Sequence, residues 1–143
     1  MDQAAVSGLS EETVRIAVAS RNKRTVADHI GKCADWLVYT ALERADDRLI
    51  ISGPEIIRLP KTLIFHHYKG DQPHPLAGCV AVIGASAGGS FVEKMRARGI
   101  EVALTAESDP ATAVRNYVHQ QLAPARARPI GDIICKIRDA LSG

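Results

Sequence analysis

Val80-Ala81-Val82-Ile83 is a continuous apolar run closed by Gly84. An alternating pattern marks a strand with one wet face, so an unbroken run bounded by a glycine reads as a strand covered on both faces. A chain built around such a strand needs a sheet with helices on its faces. The residues that follow agree: Gly88 to Arg98 carries Phe91, Val92 and Met95 on one helical face and is stopped by Gly99. Glu101 to Thr105 resumes a strand. Asp109-Pro110 then supplies an N-cap and a first-turn proline for a helix with the stripe Ala111, Val114, Val118 and Leu122. The second half is thus β-α-β-α.

The first half reads differently. Residues 1 to 12 form a polar leader, and Val14, Ile16 and Val18 alternate with Arg15, Ala17 and Ala19 as a strand does. The loop Ser20 to Ala34 has no sustained period. Trp36 to Arg44 and Arg48 to Leu59 then read as a hairpin across Asp46-Asp47, its second arm interrupted at Gly53-Pro54. Residues 60 to 79, broken by Gly70, Pro73 and Pro75, read as irregular. After residue 122 a Pro- and Ala-rich linker leads to Ile130, Ile133, Ile134, Ile137 and Leu141, spaced as an amphipathic helix that needs a surface to lean on. A meander feeding a β-α-β-α half predicts an α/β domain over residues 13 to 122, with 123 to 143 as linker and C-terminal helix.

Composition narrows the function. The 143 residues are 46% hydrophobic and 24% charged, with a formal charge of +2. That charge is too small for the footprint of a dedicated nucleic-acid binder, and 4% aromatics leave little for base stacking. No apolar run approaches ~20 residues and the N-terminus lacks the pattern of an export signal, so the expectation is a cytoplasmic protein without membrane contact. Cys33, Cys79 and Cys135 are odd in number and contain no C-x-x-C pair, so they form no disulfide framework.

Three stretches, VRIAVASRNKRTVADHIGKCADWLVYTAL, VAVIGASAGG and RGIEVALTAESDPATAV, resemble in order the dinitrogenase iron-molybdenum cofactor biosynthesis family, of the NifX and NifB C-terminal type. The family's loop motif, D-x-H-F-G or D-H-F-G, appears here as Asp28-His29-Ile30-Gly31, with isoleucine in place of phenylalanine. The resemblance implies a single three-layer domain of ribonuclease H-like fold, with a five-stranded mixed sheet flanked by helices. It further implies a non-catalytic carrier that binds the iron-molybdenum cofactor or an iron-sulfur precursor transiently. Partners would be nitrogenase cofactor assembly proteins or apo-dinitrogenase. The motif histidine, the family's proposed cluster-binding residue, corresponds to His29.

The chemistry of the loop is compatible with that implication. An anionic metal-sulfide cluster needs a soft or imidazole ligand and a basic surround, and Arg21, Lys23, Arg24 and Lys32 flank His29, with Cys33 four residues on as an assisting thiolate. A blander reading also holds at this point: a loop histidine caps a turn, basic residues solvate a loop, and Cys33 is a small buried hydrophobe. His66, His67, His74 and Cys79 match no standard zinc spacing, and His66 and His67 on a strand would face opposite ways. His66 and His67 stand as secondary cluster contacts, against the reading of histidines in a surface connection. His119, on the last predicted helix, reads as structural. Gly84 to Gly89, a small-residue turn opening a helix, offers either an anion or nucleotide site or a second wall for the cluster. A nuclease reading fails because the opening strand Thr13 to Ser20 carries no carboxylate.

Overall fold

A computed structural model describes residues 12–43, 49–70 and 72–119. Residues 1–11 of the leader, the Asp46-Asp47 turn, Leu122 and the C-terminal amphipathic segment lie outside the described residues, whereas Glu12 opens the first strand. Five strands, β1 (Glu12–Ala19), β2 (Asp35–Glu43), β3 (Leu49–Arg58), β4 (Cys79–Gly84) and β5 (Glu101–Leu104), form one mixed sheet in the order 3-2-1-4-5. β1 pairs antiparallel with β2 and parallel with β4, and β4 pairs parallel with β5. Two helices join the parallel half, α1 (Gly89–Ala97) after β4 and α2 (Pro110–Val118) after β5.

The side-chain period of two divides the sheet into two cores. Val14, Ile16 and Val18 of β1 face α2, where Ala113, Val114, Tyr117 and Val118 pack on them. Ala17 and Ala19 point the other way, into a second core with Phe91 and Met95 of α1 and with Trp36, Phe65 and Leu76. Both faces of the central strand are therefore dry, and the small alanines let the second layer approach closely. The result is an α/β domain with one helix on each face. Among the described residues no helix is long and apolar enough to cross a membrane.

One expectation is met in the pairing and one needs correction. The second hairpin arm runs through Gly53-Pro54 as one strand, but its pairing with β2 breaks there: Val38 pairs with Glu55 and Thr40 with Ser52, which leaves Gly53 and Pro54 without partners in the ladder. The stripe of α2 is rotated from the predicted one, because Tyr117 rather than Ala111 anchors it. Ala111 is exposed while Pro110, Ala113, Val114, Tyr117 and Val118 are buried.

Candidate functional site

Ligands of open α/β sheets sit outside the carboxyl ends of parallel strands. Here β1 and β4 deliver two loops to that edge. The loop after β1 is shaped by its own polar residues. Asn22 Oδ1 accepts from the backbone N–H of Arg24 and of Thr25, both at 2.8 Å, and the Ser20 hydroxyl donates to Thr25 O at 2.7 Å. These short-range bonds turn the chain back over the sheet. Ala27 N then bonds Ala19 O and Ala85 N bonds Ala27 O, each at 2.8 Å, which lays the loop beside the turn after β4.

His29 follows in left-handed backbone (φ 47°, ψ 53°) and opens a short 3₁₀ turn over Ile30–Lys32. With three residues per turn, positions i and i+3 eclipse. His29 and Lys32 accordingly share the outer face, while Ile30 and Cys33 share the inner one and are buried. Ile30 lodges so closely against Gly84 that a Cβ there would come within 2.1 Å of Ile30 Cγ2. Gly31 is tight for the same reason, since a Cβ would meet the Phe91 ring at 3.2 Å. The isoleucine in the motif is thus a core residue, and the glycine beside it admits α1.

The outer face opens on a cleft of about 350 Å³ lined by His29, Lys32, Phe65, His66, Phe91 and Lys94, together with Gly31, Gly88 and Ser90. Phe65 and Phe91 give it an apolar floor. Two imidazoles, two ammonium groups and the N-terminus of α1 surround that floor, and among the described residues no carboxylate lines it, so its field favours an anion. The His29 side chain is 75% exposed and its Nε2 lies 3.9 Å from Asp28 Oδ2. His66 reaches the cleft because its N–H bonds Gly31 O at 2.8 Å. Lys94 ties the same segment to α1 by donating to Phe65 O at 2.7 Å and Tyr68 O at 3.4 Å.

The remaining expected residues are distributed elsewhere. Arg21 pairs with Asp28 at 3.1 Å and faces a neighbouring groove lined also by Asn22, Thr25 and Ala85. Lys23 and Arg24 are exposed on the loop tip and do not line the cleft. Cys33 is 1% exposed, its thiol donates to Asp35 O at 3.2 Å, and burial raises its proton affinity, so the 3₁₀ turn carries it away from His29. His66 and His67 occupy a turn rather than a strand. Their rings meet edge to face at 5.1 Å, yet only His66 lines the cleft. His74 is a core histidine stacked on Phe65 at 4.3 Å, with Nε2 2.7 Å from Leu63 O and Nδ1 accepting from Leu76 N. Burial lowers its proton affinity. Cys79 is buried and its thiol is pushed up to about 11. His119 is the exposed C-cap of α2.

Lys94, Ser90 and Phe65 escaped the sequence reading. Lys94 was within reach of it, because it stands one turn after Phe91 and Ser90 on α1, where positions three and four apart are neighbours. The turn Gly84 to Gly89 borders both openings: Gly88 lines the same cleft as His29, and Ala85 lines the neighbouring groove. Among the described residues no three of His, Cys, Asp and Glu gather where they could hold a metal ion.

Comparison with solved structures shows the same fold at low identity. PH0822 is similar at 15% identity with a TM-score of 0.58, over 80% of this chain and 97% of that one. A Thermotoga protein described as a candidate NifB is similar at 15% identity and a TM-score of 0.50, over 80% of this chain and 99% of that one. The apo form of the orange protein from Desulfovibrio gigas is similar at 18% identity and a TM-score of 0.50, over 80% and 94%. No curated protein matches the chain. The family model described as dinitrogenase iron-molybdenum cofactor matches residues 12–120, which span the whole sheet, both helices and the His29 cleft. The chain belongs to the dinitrogenase iron-molybdenum cofactor family.

Proposed function

We propose that this protein is a non-catalytic carrier of the iron-molybdenum cofactor or an iron-sulfur precursor, which it holds at the His29 cleft and hands on during metallocluster assembly. The observation that carries this reading is the position of His29. The residue matching the family's motif histidine stands exposed at the rim of a cleft that also presents Lys32, His66 and Lys94. An imidazole supplies the ligand, the ammonium groups offset the charge of a metal-sulfide cargo, and the two phenylalanine rings give it a water-poor floor. Two imidazoles grip less than a four-thiolate cage, which suits hand-over rather than storage. Arg21 acts here through Asp28 rather than on the cargo, and Cys33 supports the turn. Partners are the assembly proteins that donate and accept the cargo, apo-dinitrogenase among them.

The test is anaerobic titration of the protein with isolated iron-molybdenum cofactor and, separately, with an iron-sulfur precursor, read by visible absorption and native gel shift. Charge-transfer bands that move with the protein, and are lost in His29→Ala, are expected. Absence of binding, or binding unchanged by His29→Ala, overturns the reading. Saturable binding of inorganic phosphate or a nucleotide in place of either cluster would instead favour a small-anion module using Gly88 and Ser90.

A further inference from the structure

We infer that Ser86, in the turn after β4, is the positioning residue for His29. This rests on the reading of His29 as the cargo ligand. His29 is one of two non-glycine residues with positive φ among the described residues, a backbone conformation that persists only where its surroundings hold it. Two successive amides there are held by one residue. The His29 N–H donates to Ser86 Oγ at 2.9 Å, and the Ile30 N–H donates to Ser86 O at 3.1 Å.

The two bonds differ in kind. The Ile30 bond uses the backbone of residue 86 and survives any side chain there. The His29 bond uses the hydroxyl, so it makes the direction of the imidazole depend on the identity of residue 86. Ser86 lies 57 positions from His29 in sequence, yet it sits in the turn that opens α1, the helix whose Phe91 and Lys94 line the cleft. The hydroxyl therefore fixes the ligand relative to the wall opposite it. Arg21 adds a weaker brace, donating to His29 O at 3.4 Å from the loop's own side.

Ser86→Ala removes the acceptor and leaves the Ile30 bond in place, while Ser86→Thr keeps an oxygen at the same position. Amide hydrogen exchange in the cargo-free protein reads the bond directly. In Ser86→Ala the His29 amide should exchange about tenfold faster, the factor one hydrogen bond of ordinary net strength supplies, with Val18 and Ile83 unchanged and Ser86→Thr restored. Cluster affinity should fall by a similar factor in Ser86→Ala and return in Ser86→Thr, because a residue acting through His29 acts only as far as the bond to its amide is kept. Unaltered His29 exchange in Ser86→Ala refutes the assignment, as does cluster affinity in Ser86→Ala equal to the parent's. If His29→Ala itself binds cluster normally, the carrier reading falls, and the exchange measurement still decides whether Ser86 holds His29.

Discussion

Replacing Gly84 by alanine tests the join between the His29 loop and the sheet. The added Cβ would lie 2.1 Å from Ile30 Cγ2, 2.9 Å from Cδ1 and 3.2 Å from Cβ. These are side-chain atoms, but Ile30 cannot swing clear: it is fully buried and its amide is bonded to Ser86 O. Alanine gains about 0.4–1 kcal/mol from the reduced freedom of the unfolded chain. Overpacking of a filled core costs about 1–3 kcal/mol and exceeds that gain, so Gly84→Ala should be destabilised by about 1–2 kcal/mol. For a domain of about 100 residues each kcal/mol lowers the melting temperature by about 4–8 °C. Urea titration gives the free energy, and a second substitution identifies the cause. Ile30→Ala alone leaves a cavity costing about 2–5 kcal/mol. Combined with Gly84→Ala it removes both of the nearest clashing atoms and lets the new methyl fill part of the hole, so the double variant should be more stable than the sum of the two by about 1 kcal/mol or more. A Gly84→Ala protein as stable as the parent, or strictly additive losses, would refute the argument.

Three further outcomes follow from buried or capping groups. Peptide mapping after alkylation at about pH 8 should find Cys33 and Cys79 unmodified in the native protein and labelled in urea, since both thiols are buried and raised in proton affinity. Burial holds His74 neutral, with a folded proton affinity below the unfolded one. Its contribution is complete above the unfolded value of about 6.5 and declines as pH falls toward the folded one, so urea titrations should show a slope that His74→Gln flattens. Asp109 accepts from the Thr112 hydroxyl and N–H and caps α2, and these bonds lower its proton affinity. Asp109→Ala should cost about 1 kcal/mol in thermal unfolding at neutral pH, a loss that shrinks as acid protonates the parent's carboxyl below about 3.9.

The strands were legible where one periodicity dominated. Val80 to Ile83 announces a doubly covered strand, and the alternation in Val14 to Ala19 announces β1, although Ala17 and Ala19 proved to be a second buried face rather than a wet one. Tyr117 was missed as the anchor of α2 because a stripe drawn through small and branched residues passes over an aromatic whose ring, not its hydroxyl, does the packing. At the site, His29 was nominated by the resemblance to the family's motif and Lys32 by its charge beside it, but what unites them is the 3₁₀ turn, whose threefold repeat no local pattern in Ser20 to Ala34 reveals. The same turn explains Cys33: four residues beyond His29 would be adjacent on an α-helix and is an inward position here. Lys94 and His66 enter through bonds to backbone carbonyls of residues 65, 68 and 31, which are tertiary facts.

The walls of the cleft come from three separate stretches of chain, at residues 29–32, 65–66 and 88–94. On the carrier reading proposed above, a cargo touching all three would add a temporary cross-link to segments already joined by hydrogen bonds and by the packing of Ile30, Phe65 and Phe91. Loading then feeds back on folding: free cargo at 100 times its dissociation constant adds about 2.7 kcal/mol to the stability of the loaded form. On that reading, empty and loaded molecules would differ in lifetime against proteolysis as well as in colour, and the protein without cargo would be the more readily removed.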